Sequence, residues 1–129
     1  MSEKIDKPAF NGGRNIAIKV PPHQWEETVA FYRDVLGLKQ IERPPTTPPS
    51  EVFEFGSNRL WIDRVEALSQ AEVWLEVITP DLEAAAGYLE SAGVARRDEI
   101  EDLGEGFPGF WIASPASIIH LVTTTEQED

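Results

Sequence analysis

Glu72-Val73-Trp74-Leu75-Glu76-Val77 alternates strictly between apolar and polar or aromatic residues. Val73, Leu75 and Val77 fall on one side and Glu72, Trp74 and Glu76 on the other, the period-two pattern of a strand with one buried face. The apolar side is expected to pack against helices. Two carboxylates flanking an indole suit neither an open surface nor a packed core, where unpaired carboxylates are costly. A partly enclosed crevice that binds something suits them better. The same alternation occurs once earlier, 57 residues upstream, at Asn15-Ile16-Ala17-Ile18-Lys19-Val20.

The segments after the two strands repeat as well. After the first copy, Pro21-Pro22 stops the strand, and Gln24–Leu36 reads as an amphipathic helix with Trp25, Val29, Tyr32 and Leu36 at helical spacing. Gly37 ends that helix, and Leu38–Arg43 returns as a strand. The proline-rich Pro44–Pro49 segment is an extended loop that cannot join a central strand. Strands near Glu51–Phe55 and Arg59–Asp63 then flank a turn at Gly56-Ser57-Asn58.

After the second copy, Thr79-Pro80-Asp81 opens a helix to about Ala92, and Gly93 ends it. A strand near Ala95–Ile100, a glycine-rich loop at Gly104–Gly109, and strands near Phe110–Ala113 and Ile118–Thr123 complete the series. Gly37-Leu38 matches Gly93-Val94, and Leu60-Trp61-Ile62 is placed over Ile119-His120-Leu121. The fold class is therefore α+β. Two tandem βαβββ units, about 14–66 and 71–124, lie in a single domain over 1–129. They are expected to form a curled mixed sheet around a central crevice, with the helices outside and with 1–13 and 125–129 as loose termini.

A chain of 129 residues can bury a real core without staples. With no cysteine there is no disulfide framework, thiolate metal site or cysteine nucleophile. Eleven basic against 23 acidic residues give a net charge of −12, which argues against a nucleic-acid partner. The apolar runs are too short to span a bilayer, and the polar start lacks a secretory core. These features predict a soluble cytoplasmic protein with no membrane partner. No Walker-type glycine loop or serine nucleophile elbow is present.

The stretch Thr28-Val29-Ala30-Phe31-Tyr32-Arg33-Asp34-Val35-Leu36-Gly37-Leu38 resembles the helix-one signature of the vicinal oxygen chelate superfamily, which includes glyoxalase I, extradiol dioxygenases and bleomycin-resistance proteins. Asp81-Leu82-Glu83-Ala84-Ala85 and the closing Ser114-Pro115…Ile119-His120-Leu121 are similar to the family's second half. The resemblance implies four cavity-facing positions used for a metal: Asn15, Trp61, Glu72 and His120. Only Glu72 and His120 are good ligand types, and tryptophan cannot ligate. The cofactor expected is thus none, or a divalent metal held by Glu72, His120 and one further ligand.

Alternation sets Asn15, Ala17 and Lys19 opposite Glu72, Trp74 and Glu76, with Arg59, Trp61 and Asp63 as one wall and His120 as the other. The candidate ligand-binding residues are Asn15, Lys19, Arg59, Trp61, Asp63, Glu72, Trp74, Glu76 and His120. Lys19 and Glu76 are equivalent in the two copies and are expected to form a salt bridge. Trp61 and Trp74 are expected to be an accessible stacking wall, with Trp111 as a further candidate, and Phe107 and Phe110 a flap at the mouth. The leading functional expectation is metal-independent binding of a small flat organic molecule, a cationic one being compatible with the acidic groups, as in the bleomycin-resistance branch. One alternative is a metal-dependent lyase, transferase or dioxygenase on a vicinal-oxygen substrate using Glu72 and His120. Another is a structural or regulatory dimer whose crevice is filled by its own side chains. The resemblance also implies a homodimer.

Overall fold

In the computed structural model, which describes residues 7–124, both alternating stretches are strands. Contacts divide the chain into two units: Arg14–Trp74, and the described residues up to Gly13 together with those from Leu75 onward. The short strand β1 (Asn11–Gly12) precedes β2 (Asn15–Val20). Then come helix α1 (Pro22–Ala30), β3 (Gln40–Ile41), β4 (Ser50–Phe55) and β5 (Asn58–Arg64). The second series is β6 (Glu72–Ile78), helix α2 (Leu82–Ser91), β7 (Ala95–Arg96), β8 (Gly109–Ala113) and β9 (Ile119–Thr123). Both series read βαβββ. The strands expected over Leu38–Arg43 and Ala95–Ile100 shrink to two residues each.

Within Arg14–Trp74, β2 runs parallel to β5, with Asn15 opposite Arg59, Ala17 opposite Trp61 and Lys19 opposite Asp63. β4 lies antiparallel to β5, β3 antiparallel to β4, and Glu72–Trp74 antiparallel to β2. Because side chains alternate, one sheet face carries Ile18, Val20, Phe53, Leu60 and Ile62, and α1 covers it with Val29, Trp25 and Tyr32. Each large apolar side chain fully buried there stabilises the unit by about 1.5–3 kcal/mol. The Trp25 indole N–H donates to the Ile62 carbonyl at 3.0 Å and fixes the helix on β5. Proline at the first helical position costs nothing there, since its missing N–H has no intrahelical partner. Residues Phe31–Val35 then continue α1 as a π-helical turn that ends at Gly37, in the left-handed conformation with φ 69°.

In the other unit, β6 runs parallel to β9, β8 lies between β9 and β7, and β1 pairs with the end of β6. Helix α2 buries Ala85 against Phe110 and Val122, with Val77, Leu82 and Leu89 packed around them. Asp81 caps the helix by accepting from the Ala84 N–H at 3.1 Å, and Gly93 ends it at φ 81°. The arm before β2 is tied down where it is described: Asn11–Gly12 pairs with β6, and the Thr79 hydroxyl donates to the Ala9 carbonyl. The other parts of the expected loose termini, 1–6 and 125–129, lie outside the described residues.

The boundary between the units falls inside β6, because the strand changes partner midway. Its start pairs with β2, its end with β9. That partner change corrects the expected burial of its apolar side. Val77 packs under α2, but Val73 is 44% and Leu75 37% exposed. A helix about 10 Å across covers only two or three strands spaced about 4.8 Å apart. The cluster under α1 draws on β2, β4 and β5, leaving Val73 uncovered.

Candidate functional site

The sheet face of Arg14–Trp74 turned away from α1 collects seven of the nine candidate residues. Lys19 sits between Asp63 on one neighbouring strand and Glu72 on the other. Its ammonium pairs with Asp63 at 2.8 Å, and Asp63 also accepts from the Ser50 hydroxyl. The pair with Asp63 is one that alternation alone does not indicate. The same ammonium lies 4.3 Å from the centre of the Trp74 ring, a cation–π contact. The Trp74 indole N–H donates to Glu72 Oε1 at 2.9 Å. Ser50, Asp63, Lys19, Trp74 and Glu72 thus form one continuous polar chain across four strands.

A second cluster stands beside it. The Trp61 indole N–H donates to Asn15 Oδ1 at 2.8 Å, and the Arg43 guanidinium lies 4.7 Å from the Trp61 ring centre. Arg59 is the register partner of Asn15 on the same face. Trp61 remains half-buried. Trp74, by contrast, is only 5% exposed, so the accessible wall expected of both indoles reduces to Trp61.

Glu76 and His120 lie in the other unit. His120 corrects the sequence alignment. β6 pairs Leu75 with His120, β8 pairs Ile112 with His120, and Ile112 packs in the cluster under α2. His120 therefore stands on the α2 side of its sheet, whereas Glu76 shares the opposite side with Leu121 and Trp111. The structural counterpart of Trp61 is Ile119, one residue earlier. A slip of one residue moves every side chain of a strand to the other face. His120 Nδ1 lies 3.0 Å from the Ile118 carbonyl oxygen. Trp111 is buried, its indole N–H donating to the Glu101 carbonyl at 2.9 Å. Phe110 is also core, with the Arg96 guanidinium over its ring, so of the expected flap only Phe107 is exposed.

The donor set does not fit a divalent ion. Trp61 has no ligating atom, Asn15 Oδ1 and one Glu72 oxygen accept from indoles, and His120 is on the wrong face of its own sheet. Among the described residues no group of three or more His, Cys, Asp or Glu is placed to hold a metal. A catalytic site normally supplies three protein ligands.

Two residues at the site carry no signal in the sequence. Arg43 lies beyond β3, where alternation stops carrying information. Ser50 opens β4 opposite Asp63, visible only once the strand register is known. Exposed neighbours shift one another's ionisation on the surface. The hydrogen bond between Arg33 and Asp34 raises the Arg33 pKa and lowers that of Asp34, and a hydrogen bond from Arg97 lowers that of Glu99. An open depression of about 390 Å³ on the outer side of α1, lined by Gln24, Glu27, Thr28, Phe31 and Tyr32, is a helix-surface groove apart from these clusters.

Two βαβββ units with parallel first and last strands define the class as the paired-module α+β fold of the vicinal oxygen chelate superfamily, and solved structures agree. A hypothetical protein from Bacillus halodurans C-125 superposes with a TM-score of 0.65 at 12% identity, covering 94% of this chain and 98% of that one. A methylmalonyl-CoA epimerase from Mycobacterium tuberculosis gives 0.60 at 14%, covering 90% and 89%. A Mn(II)-bound glyoxalase from Novosphingobium aromaticivorans gives 0.60 at 18%, covering 90% of this chain, which spans only 40% of that protein's length. No curated protein matches the chain. The glyoxalase-like domain family matches residues 16–117, and the chain belongs to that family.

Proposed function

We propose that the chain binds a small organic molecule on the Trp61 side of the Arg14–Trp74 sheet, without a complete metal site. The observation that carries this reading is the pair of indole clamps. At Asn15 and Glu72, two positions where metal-using relatives are expected to place ligands, this chain engages side-chain oxygens with tryptophan N–H groups. A half-buried indole beside the Arg43 guanidinium offers rigid stacking area and a directional polar contact, the ordinary makings of a ligand site. In this respect we read the chain as resembling the bleomycin-resistance type. A homodimer is part of the proposal; Phe31, Val35 and Leu36 expose apolar surface at the end of the first helix, the kind of surface a partner covers.

The enzyme alternative, a metal-dependent lyase, transferase or dioxygenase, needs Glu72 and His120 as ligands of one ion, and the strand register disfavours it. A structural or regulatory dimer with a filled crevice is favoured by one observation, the burial of Trp74. The half-buried Trp61 separates the two. With a chelator present, aromatic fragments should shift the Trp61 indole N–H in a nitrogen–proton NMR spectrum and leave Trp25 unmoved. Fragments that shift no indole would remove the binding reading and promote the structural one.

A further inference from the structure

We propose that Asn11-Gly12 is a self-modifying site, at which the Asn11 amide cyclises onto the Gly12 nitrogen and reopens as isoaspartate, loosening β1 from β6. The sequence holds three asparagines, Asn11, Asn15 and Asn58, and only the first precedes a glycine. Asn11 and Gly12 are both exposed. Glycine has no β-carbon to hinder the approach of its nitrogen to the neighbouring amide carbon. The strand pairing leaves that nitrogen uncovered. Asn11 stands opposite Ile78 and Gly12 opposite Val77, and the Gly13 N–H donates to the Glu76 carbonyl at 2.9 Å. Hydrogen-bonded pairs alternate along an antiparallel ladder, so the Gly12 N–H points away from β6. Among the described strands β1 pairs with no other. The remaining asparagines are held. Asn58 precedes Arg59, whose N–H donates to the Arg14 carbonyl at 2.8 Å. Asn15 precedes the β-branched Ile16, and its Oδ1 accepts from the Trp61 indole.

The Gly12 nitrogen gives its proton to solvent base and attacks Asn11 Cγ. A C–N bond forms, the Cγ–Nδ2 bond breaks, and ammonia leaves a cyclic succinimide. Water then opens the ring. Attack at Cγ gives aspartate, and attack at the main-chain carbonyl gives isoaspartate, whose backbone runs through the former side chain. No oxidant or reductant takes part. Isoaspartate adds a methylene to the main chain in a strand where a whole residue rises only about 3.4 Å, so Gly12 and Gly13 slide out of register with Val77 and Glu76. Gly13 has no room to absorb the shift, because it lies so close to Glu76 that a β-carbon there would collide with the carboxylate.

Ageing the whole chain at mildly alkaline pH, with mass spectrometry of the peptide that ends at Arg14, tests this. That peptide should gain about one mass unit as an amide becomes a carboxyl, faster at higher pH, and part of it should accept a methyl group from an isoaspartyl methyltransferase. Gly12→Ala should slow the gain several-fold at unchanged stability, since nothing lies within 4 Å of an added Cβ there. In the aged protein the Gly13 amide proton should exchange roughly tenfold faster, as losing one backbone hydrogen bond implies. Asn11→Asp, which adds the charge without the methylene, should exchange as the parent does. A peptide that stays unmodified in the folded chain while the urea-unfolded chain gains mass would overturn the site, as would a gain at Asn15 or Asn58 instead, or a Gly12→Ala rate equal to the parent's. Equal Gly13 exchange in the aged protein and in Asn11→Asp would overturn the loosening of β1.

Discussion

Replacing Lys19 by methionine keeps most of the apolar stem and deletes the ammonium. The Lys19 side chain is 6% exposed and that of Asp63 20%, so the deletion strands a carboxylate largely out of water. Breaking a fully buried pair from one side costs about 3–5 kcal/mol. Here Asp63 keeps the Ser50 hydroxyl and some solvent, which lowers the cost, while loss of the contact with Trp74 adds about 0.5–2 kcal/mol. The expected destabilisation is roughly 2–4 kcal/mol. For a chain of this length that lowers Tm by about 6–15 °C. Urea denaturation should show a lower midpoint with an unchanged slope. Adding Asp63→Asn should recover much of the loss, because the stranded charge is gone, and the double-mutant cycle should show a coupling above about 1 kcal/mol. A Lys19→Met protein within about 0.5 kcal/mol of the parent would refute the view that this pair organises the sheet face.

The two tryptophans should separate in the same assay. Trp74→Ala is expected to cost about 3–5 kcal/mol as a buried indole, and Trp61→Ala distinctly less while abolishing any fragment binding; equal costs would mean that Trp61 is core too. Gly109→Ala should destabilise and lower the denaturation midpoint, since its Cβ would lie 2.9 Å from the Val122 carbonyl oxygen, a backbone atom that cannot swing aside; an unchanged midpoint would show that β8 and β9 are looser than their pairing implies. Sedimentation at tens of micromolar, roughly where a modest interface persists, should give a dimer, and a monomer there would remove that part of the proposal.

The fold was legible because two independent signals repeat at matching places: the alternation at 15–20 and 72–77, and the helix-ending glycines Gly37 and Gly93, both of which adopt positive φ. The lining of one sheet face was legible too, since alternation alone assigns Asn15, Lys19, Arg59, Trp61 and Asp63 to one side once two strands are recognised. The His120 register was not. Ile118-Ile119-His120-Leu121 is apolar on both faces, so hydrophobic patterning does not choose between two placements one residue apart. The burial of Trp74 escaped as well. An indole between two carboxylates looks exposed in sequence, and only the register that brings Lys19 over its ring shows that it is held. The pairing of Lys19 with Asp63 depends on strand order, which no local pattern encodes.

The most direct test of a metal-independent site is the metal content of protein purified without chelators and without an affinity tag. Zinc, nickel, iron and manganese are each expected well below one equivalent per chain, unchanged by Glu72→Ala. One full equivalent of any of them, lost on Glu72→Ala, would contradict that expectation and establish a metal centre in which Glu72 is a ligand.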